Sequence, residues 1–335
     1  VAGANKLKLW LLTDGAPGHW SQSQGIADAL AQAYEVEILR VMLKVRSSLW
    51  KRLGRLCLPW IRNPAFWLAR VYDLKLPVGQ PDLIISSGAN TLLANALLAR
   101  QRQAPNTYSG TLKGYDASAY RVIFTVVGLG VPNNCVLPLP PVPADIFNVP
   151  ALTTGAEPLV AVLVGGDGAG YEFREADWQA MAAWLNALAA ERGARLLLTT
   201  SRRTGVDAER LLKAALPADV LAQAVWWSEA PQPVVRDFLS RASCVVVTEE
   251  SLTMVAESIY ARRQVYTLMP RSAAPNDNDG RALAAYAEAG LIQRIPLEQP
   301  IQAIPGGPEL ASGFPDVPQL IRSALESYLA GKQVS

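Results

Sequence analysis

The chain is poor in the residues that metal and redox chemistry need. It holds 1 histidine and 3 cysteines in 335 residues, and Cys57, Cys135 and Cys244 form no CxxC pair. A structural zinc site, which takes four such ligands at short spacings, is not expected. Odd-numbered thiols in apolar surroundings suit a reducing compartment, so a cytoplasmic location is expected. Long apolar runs are missing as well: none reaches the about 18 residues of a spanning helix, and VAGANKLKLWLLTDG is too short for a signal peptide. The expectation is a soluble or peripheral protein. Acidic residues are absent from one long stretch, between Glu37 and Asp73, although the net charge of the whole is only +2.

What is present is apolar substance. Hydrophobic residues make up 50% of the chain, enough at this length for two domains with their own cores. Apolar runs at Leu7–Thr13, Val36–Val41, Asp82–Ser86 and Arg121–Val127 read as strands, with helical patterns near Ser21–Ala33 and in TLLANALLARQ. The passage VLPLPPVPADIFNVP, Val136–Pro150, reads as an extended linker. The alternation then restarts with strands at Leu159–Val164, Arg195–Thr200, Val225–Trp227, Cys244–Val247 and Val265–Leu268. Helices are expected at Glu175–Arg192, Val206–Leu216 and Pro233–Arg241. This is an α/β pattern of doubly wound parallel sheets. The expected division is 1–140, a linker over 141–157, a second domain over 158–312, and a C-terminal helix in 313–335 returning to the first.

Three strand ends in the second half are polar in a way that suits a nucleotide diphosphate. Gly165, Gly166, Asp167 and Gly168 form a glycine loop that lets backbone approach a ligand closely. Ser201, Arg202, Arg203 and Thr204 offer hydroxyls and guanidinium groups for phosphate oxygens. In VVTEESLTMVAE, a buried strand ends at Glu249, Glu250 and Ser251, where a helix opens that carries Glu257. A carboxylate there can accept hydrogen bonds from sugar hydroxyls. Each feature alone has a plainer reading: an ordinary tight turn, a solvated arginine pair, an exposed helix carboxylate.

In the first half, Asp14, Gly15 and Gly18 precede His19, the single histidine, in the loop after the first strand. An imidazole is the natural general base near neutral pH, and Asp14 has two readings beside it, orienting that imidazole or contacting the acceptor. The plainer reading has His19 packing at the helix entrance. Ser87, Gly88 and Asn90 form a second strand-end loop that suits an acceptor.

The acid-free stretch carries Arg40, Lys44, Arg46, Lys51, Arg52, Arg55, Arg62 and Arg70, interleaved with Trp50, Trp60, Phe66 and Trp67. On a helical wheel Trp50, Leu53, Leu56 and Cys57 share a face opposite Lys51, Arg52 and Arg55. Basic residues beside interfacial aromatics suit an anionic membrane surface. Packing of the apolar face on the core, or a nucleic-acid surface, would use the same composition. The membrane is the expected partner, with Trp50, Lys51, Arg52, Arg55 and Trp60 facing it, and nucleic acid is not.

The pieces LLTDGAPGH, PDLIISSG, VLVGGDGAGYEF, LLLTTSRRT and VVVTEESLTMVAES, spread from about Leu9 to Pro296, resemble a bacterial family called "mitochondrial fission" proteins after a plant relative. That family is similar to GT-B glycosyltransferases. The resemblance implies two Rossmann-like domains facing a cleft, acceptor on the first and nucleotide-sugar on the second. It also resembles the enzyme that adds N-acetylglucosamine to the lipid-linked peptidoglycan precursor. By position, His19 is then the base, Glu257 the ribose ligand, and Ser251, Leu252 and Thr253 part of the donor site. Glu249 and Glu257 fit a loose E-x7-E pattern. WWSEAPQP and HWSQSQG depart from the family pattern. The implied activity is metal-independent transfer of a sugar from a nucleotide-sugar to an envelope glycolipid or lipid-linked saccharide. It would take place on the cytoplasmic face of the inner membrane, with no cofactor beyond the nucleotide-sugar substrate. A second reading keeps the fold as a nucleotide-sugar epimerase, and the plant relative implies a third, a noncatalytic membrane adaptor that retains a nucleotide pocket.

Overall fold

A computed structural model describes residues 6–147, 157–298 and 314–329. Residues 148–156 of the expected linker lie outside the described residues. The chain divides into two units, Val1–Ala144 with Pro315–Ser335, and Asp145–Phe314.

The first unit holds strands β1 (Leu7–Thr13), β2 (Val36–Val45), β3 (Tyr72–Leu74), β4 (Leu83–Ser87), β5 (Asn106–Ser109), β6 (Val122–Thr125) and β7 (Asn134–Val136). They form one sheet in the order β3-β2-β1-β4-β5-β6-β7, parallel except for the β2–β3 pair. Leu9, Leu11, Ile84, Ile85, Ile123 and Phe124 have no exposed surface, as expected for inner strands covered on both faces. Helices α1 (Pro17–Ala31), α2 (Ser48–Cys57), α3 (Pro64–Val71) and α4 (Leu92–Arg102) belong to this unit. Helix α1 starts four residues before the expected Ser21, because Pro17 occupies its first turn. Proline there has its φ preset and loses no intrahelical hydrogen bond. His19 is therefore a helical residue rather than a loop residue.

Over 136–143 the proline-rich passage is extended but packed. Leu137, Leu139 and Val142 are buried, and the Val142 backbone lies so close to Gly25 of α1 that a Cβ there would stand 2.6 Å from it. The Ala144 amide then donates to Asp28 at 2.8 Å. A single turn, α5 (Ala144–Phe147), follows.

The second unit has strands β8 (Leu159–Leu163), β9 (Tyr171–Glu172), β10 (Arg195–Thr199), β11 (Leu221–Val225), β12 (Cys244–Thr248), β13 (Gln264–Met269), β14 (Ser272–Ala273) and β15 (Gln293–Pro296). Its helices are α6 (Glu175–Arg192), α7 (Val206–Ala215), α8 (Val235–Arg241), α9 (Leu252–Tyr260) and α10 (Asp277–Glu288). Six strands form a parallel sheet in the order β11-β10-β8-β12-β13-β15, while β9 and β14 pair as a small antiparallel ribbon. The last helix, α11 (Val317–Leu329), belongs to the first unit, where Arg322 donates to the Ala29 carbonyl of α1 at 3.4 Å.

In each sheet the chain winds outward from a founding strand and then reverses. β1 is followed by β2 on one side and β4 on the other; β8 has β10 on one side and β12 on the other. Loops leave such a switch point in opposite directions and open a crevice at the carboxyl ends of the strands. Both candidate clusters sit there.

Candidate functional site

In the first unit, the loops after β1 and β4 bring Asp14, His19 and Asn90 together. His19 Nδ1 lies 2.9 Å from Asp14 Oδ1, and Asn90 Nδ2 donates to Asp14 Oδ2 at 3.1 Å. A carboxylate only accepts, so the imidazole presents Nδ1–H to Asp14, and in the neutral ring this contact leaves the lone pair on Nε2. Burial pushes the Asp14 carboxyl up, but hydrogen bonds from His19, Ala16 and Asn90 outweigh it and the net shift is downward. Gly88 makes room for the ring. It has φ of +90°, and a Cβ there would stand 2.2 Å from His19 Nδ1. Gly15 shapes the β1 loop with φ of +85°, and Gly18 sits half-buried in the first turn of α1. Ser87 is buried and donates to Gln22 at 3.2 Å, which ties β4 to α1.

Lys51 departs from its expected place. Instead of facing outward, its ammonium donates to Asn90 Oδ1 at 2.7 Å. Burial pushes its pKa down, partly offset by the Asp14 charge. The wheel drawn from the sequence is also rotated in the structure. Gly54 is the buried position of α2, with Trp50 and Cys57 half-buried beside it, whereas Leu53 and Leu56 face solvent. Trp50 meets Phe66 and Trp67 edge-on, at ring-centroid separations of 6.3 and 5.5 Å. The solvent-facing stripe is Leu49, Leu53, Leu56 and Trp60, the last 76% exposed. Arg52 is exposed beside this stripe, and Arg55 reaches the Lys113 carbonyl at 3.1 Å.

In the second unit the three polar strand ends do meet, because β10, β8 and β12 are neighbours. The glycine loop is held from both sides. Gly165 N–H donates to Thr248 Oγ1 at 2.8 Å and Gly166 N–H to Glu250 Oε1 at 3.1 Å. From the β10 side, Ser201 donates to the Gly165 carbonyl at 3.1 Å and Thr204 makes a short hydrogen bond to the same oxygen. A Cβ on Gly166 would stand 2.2 Å from the Arg203 carbonyl, so only glycine fits. Asp167 closes the loop by accepting from the Phe173 amide at 2.8 Å, and Gly168 pairs with Tyr171. The amides of Gly165, Gly166 and Gly168 thus hold the loop together, not a ligand as their spacing suggested.

Glu250 is the centre of this cluster. Its side chain has no exposed surface, Arg203 donates to Oε1 at 2.9 Å, and Oε2 is buried with no hydrogen-bond partner. Burial pushes its carboxyl up, with Arg203 only partly opposing the shift. Glu249 is placed differently from the expectation. It forms a two-pronged pair with Arg294 at 2.8 and 2.8 Å and also accepts from Thr267 at 2.7 Å and Tyr171 at 3.3 Å. All its acceptor directions are engaged in holding β12, β13 and β15 together, which leaves no oxygen for a ligand. Ser251 caps α9 by accepting from Met254 N–H at 3.4 Å. Leu252 and Thr253 form the first turn of that helix, where the backbone dipole favours an anion, and Glu257 is half-buried further along it. Arg202 is exposed.

Arg294 is the residue that sequence reasoning missed, and for Lys51 it missed the contact with Asn90. Arg294 lies on a four-residue strand without an apolar run, so nothing marked it. Among the described residues no group of three or more His, Cys, Asp or Glu side chains is placed to hold a metal ion, and no helix is long and apolar enough to cross a membrane.

Comparison with solved structures shows the fold. A S. aureus MnaA–UDP co-structure superposes with a TM-score of 0.54 at 11% identity, covering 97% of this chain and 88% of that one. A UDP-GlcNAc 2-epimerase from Methanocaldococcus jannaschii gives 0.48 at 12% identity, covering 98% and 94%. MurG from Acinetobacter baumannii gives 0.45 at 13% identity, covering 98% and 92%. No curated protein matches the chain by sequence. The architecture is α/β and GT-B-like, with two Rossmann-like units of parallel sheet. Residues 145–302 match the model of the family described as Mitochondrial fission ELM1, the family that the motifs of this chain resemble.

Proposed function

We propose that the protein is a GT-B-type glycosyltransferase that moves a sugar from a nucleotide-sugar to a lipid-linked saccharide or glycolipid of the bacterial envelope. The observation that carries this reading is the Asp14–His19 pair at 2.9 Å, held at the carboxyl edge of a Rossmann-like sheet with Nε2 left as a base. The acceptor hydroxyl attacks the anomeric carbon and its proton passes to His19 Nε2. The bond from that carbon to the diphosphate breaks, and the nucleoside diphosphate leaves with the electron pair. Asp14 orients the imidazole and stabilises its charged form. Gly15, Gly18, Gly88 and Asn90 shape the acceptor side.

The donor sits against the second unit. Arg203 and the first turn of α9, at Ser251, Leu252 and Thr253, neutralise the leaving diphosphate. Glu257 takes the ribose hydroxyls. The reading uses no resident cofactor or metal; the nucleotide-sugar is substrate. UDP in the S. aureus structure of the same fold makes uridine nucleotides the first to try. The stripe on α2, with Arg52 and the exposed Trp60, lies on the anionic cytoplasmic face of the inner membrane, so the protein is peripheral there.

Thermal melting across a panel of nucleoside diphosphates and their sugars, followed by transfer assays with lipid-extract acceptors, tests this. A ligand at about 100 times its Kd raises stability by about 2.7 kcal/mol. His19→Gln is expected to keep that donor-induced shift and lose about 10²–10⁴-fold in transfer, the usual contribution of a general base. Transfer at the wild-type rate in His19→Gln sinks the proposal. Inversion of the donor sugar without transfer supports an epimerase instead, and a nucleotide-induced shift with neither transfer nor epimerisation supports an adaptor that retains the nucleotide pocket.

A further inference from the structure

The exposed stripe and the His19 cluster are joined by one helix. Leu49, Leu53 and Leu56 recur at helical spacing along the outer face of α2, and Trp60 extends the row beyond its end. The inner face is fixed by Gly54, where a Cβ would stand 2.6 Å from the Leu93 side chain. That close approach sets the rotation of the helix and turns Lys51 toward the β4 loop. From Lys51 a continuous chain of hydrogen bonds runs 2.7 Å to Asn90, 3.1 Å on to Asp14, and 2.9 Å on to His19. Asn90 is held in place from behind, since Tyr72 OH donates to its carbonyl at 2.9 Å. No acidic residue occurs between Glu37 and Asp73; Arg52 is exposed on α2 beside the stripe, Arg62 is exposed just beyond Trp60, and Arg70 of α3 lies over the Trp50 and Phe66 rings.

We propose that α2 is a coupling element. Its outer stripe binds an anionic lipid surface, and Lys51 on its inner flank is a positioning residue that holds Asp14 and His19 in register through Asn90. Lipid contact and the setting of the imidazole are then one linked equilibrium, and linkage is reciprocal. Charge complementarity selects the occupant: guanidinium groups around an apolar row match anionic headgroups over acyl chains. A lysine suits the inner flank because a compact ammonium with three rotatable donors on a flexible stem follows small shifts of its helix. The inference rests on the proposed function only in calling His19 a base; the coupling itself needs no turnover.

The single histidine makes the readout unambiguous. Diethyl pyrocarbonate acylates the neutral imidazole, and the carbethoxyhistidine absorbance, which its lysine products lack, follows the rate at His19 in this chain. Vesicles of phosphatidylcholine with phosphatidylglycerol are expected to change that rate by at least about 5-fold, the lower end of usual coupling, while pure phosphatidylcholine leaves it unchanged. Lys51→Met should still float with the anionic vesicles yet show one rate with and without them. Leu53→Ser combined with Trp60→Ser, both at exposed positions, should lose flotation and the rate change together. Simple shielding of His19 by the bilayer would persist in Lys51→Met, and that result overturns the proposal. So does an unchanged wild-type rate on anionic vesicles. The ¹⁵N spectrum of the imidazole without lipid is a second measure: Lys51→Met should shift it away from the Nδ1–H form while Lys51→Arg largely restores it. An identical spectrum in Lys51→Met removes the positioning role even where the protein folds normally. None of these outcomes depends on a nucleotide-sugar, so failure here and failure of the transferase reading are separable.

Discussion

Replacing Glu249 by Gln isolates the ion pair at the heart of the second unit. The carboxylate has no exposed surface, whereas the Arg294 side chain is 32% exposed. Breaking a buried pair by removing one partner typically costs about 3–5 kcal/mol. In Glu249→Gln the remaining guanidinium reaches water, and the amide oxygen still accepts from Thr267, so about 3 kcal/mol is expected. Arg294→Met strands the fully buried carboxylate and belongs near about 5 kcal/mol. The double variant removes charge from both sides and is expected to be less destabilised than the sum by roughly 2–3 kcal/mol, the coupling of residues in one network. With two units the whole protein need not unfold in one step, so a single melting curve is a poor measure. Hydrogen exchange of amides in β12, β13 and β15 reads the pair directly. Additive single effects, or a loss under about 1 kcal/mol in Glu249→Gln, would refute the assignment of Glu249 to architecture.

Two further outcomes concern the clusters themselves. Because burial raises the Glu250 carboxyl above its ordinary 4.5, the folded chain holds that proton more tightly than the unfolded one. Its contribution is therefore complete below that value and is lost as pH rises through the raised one, so Glu250→Gln should match wild type in acid and exceed it in urea stability at neutral pH. The gain is about 1.4 kcal/mol for each unit of upward shift, and no gain at neutral pH counts against a strained carboxyl. Gly88→Ala combines positive φ with a Cβ 2.2 Å from His19 Nδ1. It should cost about 1–3 kcal/mol and displace the imidazole, visible as an altered ¹⁵N spectrum; an unchanged spectrum would mean the ring is not held as described.

The strands that build both switch points were legible because parallel strands covered on both faces are continuous apolar runs, as in Leu159–Leu163 and Cys244–Thr248. The polar strand ends were legible for the same reason, since each interrupts such a run. What they do there was not. Glu249 and Glu250 are adjacent in sequence, yet one is bound to Arg294, 45 residues on, and the other to Arg203, 47 residues back. Only the order of strands decides which neighbour each carboxylate meets. Short strands such as Gln293–Pro296 and Tyr72–Leu74 carry no periodicity to read. The face of α2 was misjudged because a wheel drawn on hydrophobicity groups Trp50 and Cys57, which turn inward, with Leu53 and Leu56, which do not. A glycine at 54 packs closer than any leucine and turns them outward.

The return of α11 to the first unit has a consequence for biosynthesis. A ribosome releases the chain from the N-terminus, and domains generally fold as they emerge. The first unit cannot do so completely, because the surface of α1 that receives α11 waits for residues 317–329, which are synthesised only after the whole second unit. Until then Ile321, Leu325 and Leu329, all buried in the finished protein, have not arrived to cover it. The unit that is made first is thus completed last, and a stalled or truncated chain would hold a finished second unit beside an unsealed first one.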